Sequence, residues 1–134
     1  MSRVFVDTSA YYAFLDRTDT SHTSAQSIFP KLLSDGSDLF TTNFVLAETH
    51  ALLLNRIGRD AAMRFLDTFF QSTMILIRVT EADETTAREI LRASSDKEYS
   101  YTDTTSFAVM DRLHIKEALT YDHHFAQQGY SIVN

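Results

Sequence analysis

Apolar residues fall along this chain in short runs that alternate between two periods. Arg3-Val4-Phe5-Val6, Leu39-Phe40-Thr41, Met74-Ile75-Leu76-Ile77-Arg78-Val79 and Ala118-Leu119-Thr120-Tyr121 are compact apolar stretches of strand length, and Ser131-Ile132-Val133 reads as a final edge strand. Between them the apolar positions recur at helical spacing. The pattern predicts a short helix through Tyr12 and Leu15 after Asp7-Thr8-Ser9, and a second over about 21–33 that closes before Ser34-Asp35-Gly36-Ser37. A third begins at Asn43 and carries Phe44, Val45, Leu46, Leu52 and Leu53 to a stop at Gly58, and a fourth covers about 60–71. Thr80 with Asp83 forms a capping box that opens a helix to about Ala93, and 103–113 is helical by pattern. Strands that alternate with helices imply an α/β fold with a mainly parallel central sheet covered on both faces.

A chain of 134 residues is expected to fold as one domain, 1–134, with one core. One Pro, three Gly, no low-complexity tract and no repeat argue against a linker. No apolar run approaches the roughly 20 residues of a membrane helix, and no signal peptide is visible at the start. The absence of Cys excludes disulfides and thiolate ligands, so a cytoplasmic protein is expected.

The candidate chemistry lies in four dispersed acids. Asp7 ends the first strand, Glu48 sits inside an apolar helix, Asp103 opens a late helix, and Asp122 follows the last strong strand. Each of three has a structural alternative: Asp7 and Asp122 as helix caps, Asp103 as partner of Ser100 in a capping box. Glu48 has Phe44, Val45, Ala51 and Leu52 at helical neighbour positions, and a carboxylate buried among them needs a cation or an ion-pair partner. Two acids at strand ends and two on inward-looking helices form a pattern that capping alone does not predict. In parallel sheets ligands bind beyond the carboxyl ends of the strands, and oxygen donors there suit hard divalent cations.

The remaining polar residues carry weaker signals. His123 and His124 are expected to diverge and face solvent or substrate, while Asp16, Asp19, Asp96 and Glu98 read as solvated loop residues. Asp111 lies about 80° round the helix from Asp103, a remote candidate beside the site. The net charge of −6 counts against a nucleic-acid partner. Four acids acting as ligands to two divalent ions would bring it to about −2. Arg56, Arg59, Arg64, Arg88, Arg92, Lys97, Arg112 and Lys116 would then be free to form a basic rim.

Four segments in order carry a resemblance. They are Val6-Asp7-Thr8-Ser9-Ala10, then 41–49 around Glu48, 101–110 around Asp103, and 117–125 around Asp122. Together they resemble the PIN-domain ribonucleases, and more narrowly the VapC-type toxins of type II toxin–antitoxin pairs. The resemblance implies a three-layer α/β/α fold and a homodimer. It also implies Mg²⁺ or Mn²⁺ held by Asp7, Glu48, Asp103 and Asp122 as catalytic and metal ligands, with Ser9 and Ser106 as small hydroxyl residues beside the acids. The activity implied is hydrolysis of RNA to 5′-phosphate and 3′-hydroxyl ends. The partner implied is a cognate antitoxin that offers an apolar helix and a basic residue. One departure is His123, where such toxins often carry Arg. Two other functions stand against this one: a PIN-like module that binds RNA or protein without cutting, and a phosphatase acting through an aspartyl-phosphate, which would need a second Asp where Ser9 stands.

Overall fold

The computed structural model describes residues 2–134. Twelve elements follow one another: β1 (Arg3–Val6), α1 (Thr8–Leu15), α2 (His22–Ser34), β2 (Asp38–Thr42), α3 (Asn43–Arg56), α4 (Arg59–Gln71), β3 (Ile75–Ile77), α5 (Glu81–Ala93), α6 (Tyr101–Leu113), β4 (Glu117–Leu119), α7 (His124–Gln127) and β5 (Ser131–Val133). The five strands form one sheet in the order β3-β2-β1-β4-β5, and every pairing is parallel. This is the α/β/α architecture expected from the alternating pattern, because parallel strands need helical crossovers and those crossovers cover the faces.

The centre of the sheet is β1, hydrogen-bonded on both sides and buried from Val4 to Val6. From β1 the chain winds outward one way through β2 and β3, then returns to the other side as β4 and β5. The strand order therefore reverses between β1 and β4, and a crevice opens at their carboxyl ends. Asp7 follows β1 directly, with its backbone N–H donating to the Leu119 carbonyl at 3.1 Å, and Thr120 to Asp122 follow β4.

Aromatic side chains lock the helices onto this frame. Phe125 lies 6.1 Å from Phe5 and 5.0 Å from Phe107, so α7, β1 and α6 meet at one cluster of fully buried rings. On α4, Phe65 and Phe69 pack against Tyr11 of α1, while the neighbouring Phe70 is 62% exposed.

The strand expected over 118–121 is β4 at Glu117–Leu119, so Asp122 stands three residues beyond its end, and two further boundaries differ from the sequence pattern for a local reason. The run 74–79 gives only the three residues of β3, an edge strand that pairs with β2 alone and stops where β2 turns into α3. Beyond it, the Val79 N–H donates to the Asn43 side chain, leaving the ladder. Helix α6 starts at Tyr101, two residues before Asp103, because Ser100 is the cap and Asp103 its third-position partner.

Asp83 closes the equivalent capping box on α5 and also receives Nε and Nη2 of Arg112 from α6, at 2.9 and 2.8 Å. Burial of Asp83 pushes its carboxyl up, but the Arg112 and Thr80 hydrogen bonds outweigh it and hold the group below the ordinary Asp range. Arg112→Ala should therefore lower unfolding free energy in urea by about 2 kcal/mol at pH 7. A depressed carboxylate stabilises the fold above its unfolded pKa and loses that contribution as pH falls through the folded value, so the gap between variant and wild type should close below about pH 4.

Candidate metal centre

At the carboxyl ends of β1 and β4 lies a concave pocket of about 240 Å³. Asp7, Glu48, Asp103 and Asp122 all line it, together with Glu98. Four elements or their ends bring the sequence-predicted acids together: the β1–α1 junction, the middle of α3, the first turn of α6, and the β4–α7 loop.

Asp7 is buried at 4% exposure and serves two roles at once. As the cap of α1 its Oδ2 accepts from the Ser9 N–H at 3.4 Å and the Ser9 hydroxyl at 2.9 Å, and from the Thr120 hydroxyl at 3.0 Å. Burial first, then the charge of Asp103, pushes its carboxyl up to about 6, against the pull of those hydroxyls. Asp103 likewise keeps its capping role while lining the pocket. Its Oδ2 accepts from the Ser100 N–H at 3.0 Å and faces His124 Nδ1 at 2.8 Å. Asp122 Oδ1 accepts from the His124 N–H at 3.0 Å and lies 3.2 Å from His124 Nδ1.

Glu48 departs from the sequence reading. It is half-buried rather than enclosed by apolar side chains, because its helix face turns toward the pocket mouth and Ala51 is exposed. Ser9 touches both Asp7 and Thr120. Ser106 does not join this cluster: it is fully buried, and its hydroxyl donates to the Thr102 carbonyl one turn back at 2.8 Å. Asp111 points elsewhere and accepts from Tyr130 at 2.6 Å.

Three participants were not singled out from sequence. His124, expected to face solvent or substrate, is 16% exposed and bonded to two of the acids. Glu98, expected to be a solvated loop residue, is exposed yet lines the pocket. Thr120 holds Asp7 from the end of β4, and its position two residues before Asp122 was the available signal. Asp122, His123 and His124 also bring one ligand atom each within 4.8 Å of one another, so the two histidines do not diverge as expected. In that trio Nδ1 of His124 faces Asp103 Oδ2 and Asp122 Oδ1, which leaves Nε2 as its free ring nitrogen. The four predicted acids share the pocket more openly and do not form so tight a group among the described residues.

The donor set suits a hard divalent cation. Carboxylate oxygens dominate the pocket, thiolates are absent, and Thr8 Oγ1 in its wall is buried without a hydrogen-bond partner. The basic rim is reduced from the sequence list: Arg112 is committed to Asp83, Arg56 sits over the Tyr12 ring, and Lys97, beside Glu98, pairs with Asp96.

Asp7 makes the metal-free protein sensitive to pH. A carboxyl whose folded pKa is raised from 3.8 to about 6 destabilises the fold once ionised, so this cost is absent below about pH 4 and complete above about pH 6. Protein dialysed against chelator should lose up to about 3 kcal/mol of stability across that window, and Asp7→Asn should remove most of the slope and be more stable at pH 7. Urea unfolding at a series of pH values measures both; a variant with an unchanged slope would refute the assignment to Asp7.

Comparison with known proteins bears on the fold and the family. A family model described as the PIN domain matches residues 4–129. The chain is 34% identical over 127 residues to the 23S rRNA-specific endonuclease VapC20 of Mycobacterium tuberculosis, covering 95% of each protein. The crystal structure of that relative, described as a sarcin–ricin loop cleaving toxin, superposes with a TM-score of 0.88 over 98% of both chains. A VapC ribonuclease of Archaeoglobus fulgidus is 31% identical over 90% of this chain and 78% of its own length. The VapBC2 complex of Rickettsia felis shares the fold at 12% identity, with a TM-score of 0.72 and 98% coverage of both chains. The chain belongs to the PIN-domain family and, within it, to the VapC group.

Proposed function

We propose that this protein is a metal-dependent endoribonuclease, the toxin of a toxin–antitoxin pair, with Asp7, Glu48, Asp103 and Asp122 as its catalytic and metal-binding residues. The observation that carries this reading is the convergence of those four acids in one pocket at the reversal of strand order, in a chain 34% identical to a named ribosomal-RNA endonuclease. Mg²⁺ or Mn²⁺ fits the oxygen donors. Such an ion, when bound, supplies Lewis acidity toward a phosphodiester and lowers the pKa of water. The protein residues hold and orient: Ser9 and Thr120 fix Asp7, the α6 capping box fixes Asp103, and the His124 N–H fixes Asp122. An aspartyl-phosphate mechanism is disfavoured, because the position two residues after Asp7 is a serine whose hydroxyl is bound to it.

The natural first substrate to offer is 23S rRNA, the substrate named for the Mycobacterium relative. Purified protein with total RNA and Mn²⁺ should create new 5′-phosphate ends that 5′-end mapping locates. Asp7→Asn and Asp103→Asn should each cut at least about 100-fold more slowly, the order expected when a charge-stabilising group leaves a pre-organised site. Full activity in both folded variants would end this reading, and acid-dependent Mn²⁺ binding without any cleavage would favour a binding module.

The antitoxin has a matching surface. An apolar groove of about 540 Å³ runs between α1, α2 and α4, walled by Tyr11, Phe14, Phe29 and Phe65 and edged by Leu15 and Leu33. Helix α1 joins the two features: Tyr11, Phe14 and Leu15 face the groove, and Thr8 and Ser9 line the acidic pocket. An apolar helix seated in the groove could thus carry a basic side chain toward the acids. Exposed Leu54 on α3, Ile57 just after it and Phe70 on α4 offer apolar surface for a homodimer. No helix among the described residues is long and apolar enough to cross a membrane, and we place the protein in the cytoplasm.

Leu33 is 50% exposed, so Leu33→Glu should leave the fold and the cleavage rate intact. The same change should weaken binding of the small protein encoded beside the toxin gene by about tenfold or more, since it puts a charge into an apolar contact. Calorimetry of the pair would show it; unaltered affinity would remove the groove as the antitoxin surface.

A further inference from the structure

His124 is hydrogen-bonded to two of the four acids, through its ring to Asp103 and through its backbone N–H to Asp122, and its ring nitrogen lies close to both carboxylates. Its Nδ1 stands 2.8 Å from Asp103 Oδ2 and 3.2 Å from Asp122 Oδ1, while its backbone N–H holds Asp122 Oδ1 at 3.0 Å. The ring is half-buried at the start of α7, and Tyr99 lies edge-on to it at 5.4 Å. Facing two carboxylate oxygens, Nδ1 carries the hydrogen and has no lone pair to give a cation. Asp103 Oδ2 therefore receives two protein donors, Ser100 N and His124 Nδ1, whereas its Oδ1 receives none.

We propose that His124 is a positioning residue for the metal centre, its Nδ1–H fixing Asp103 Oδ2 beside the Asp122 Oδ1 that its backbone N–H holds, so that the other oxygen of each carboxylate is presented to the cation. The inference rests on the metal-dependent reading above and adds a residue that the four acids did not include. His124 thereby links α6 to the loop after β4, two segments separated in sequence. Carboxylates of like charge would spread apart, and one residue that donates to both holds them in register. Groups that orient ligands in this way typically contribute 10–100-fold to metal affinity.

The test is Mn²⁺ titration by calorimetry at one fixed pH on chelator-treated wild type, His124→Ala, His124→Gln and His124→Asn, with circular dichroism to verify folding. Asn places an amide N–H near the position of Nδ1, whereas Gln carries its amide past that point. Affinity should fall about tenfold or more in the Ala and Gln variants and stay within a few-fold of wild type in the Asn variant. RNA cleavage by the Ala variant should recover as Mn²⁺ is raised, which a lost proton-transfer group would not allow. If the Ala variant does not fold, the Asn and Gln pair decides. Equal affinity in all four proteins, tighter binding in the Ala variant, or an Asn variant as weak as Ala would overturn the proposal while wild-type binding still upholds the metal centre. Wild-type protein that binds no Mn²⁺ would overturn the functional reading and this inference with it.

Discussion

The structure depends on a buried carboxylate at the end of its central strand. Asp7 follows β1, where two neighbouring strands and helices on both sheet faces exclude water, and its carboxyl is pushed up to about 6 by that burial and by Asp103. A carboxylate in such a place raises the free energy of the empty fold, and three hydrogen bonds from Ser9 and Thr120 offset only part of it. The strain is tolerable because the same atoms cap α1 and join β1 to the segment after β4. A cation at the pocket would reverse its sign, turning the repulsion between acids into attraction for the ion.

Capping and ligation are thus one arrangement seen from two sides. Helix N-termini attract carboxylates through free N–H groups and the macrodipole, so a parallel sheet whose strands run into helices places acids at its carboxyl edge for structural reasons. Asp7 and Asp103 are both capping residues and both line the pocket. In each, the backbone and hydroxyl donors named above fall on a single oxygen, Oδ2. A capped carboxylate with one oxygen engaged is a pre-oriented ligand, because its rotamer has already been fixed by folding.

The two concave surfaces divide the chemistry. The acidic pocket is small and polar, and the groove between α1, α2 and α4 is larger and lined by aromatic rings. They lie on successive turns of α1, so an occupant of one is brought close to the other. With a net charge of −6, a basic partner is attracted by the overall charge, whereas an anionic one would have to be received by local cations.

Local pattern determined the elements: the alternation of strand and helix, the capping boxes at Thr80 and Ser100, and the strands that Asp7 and, three residues on, Asp122 follow are written within a few residues of each position. Four acids spaced across the chain could be recognised as a set because a parallel sheet has only one edge at which strand ends meet. What the tertiary structure alone decided is what stands beside them. His124 enters the pocket through the turn of α7, Glu98 through a loop, and Thr120 through the β4 register. Ser106 left the site through a backbone hydrogen bond to Thr102. These outcomes depend on contacts between segments distant in sequence. Hydrophobic period records which face of an element is buried, but not which neighbour's polar group will meet it there.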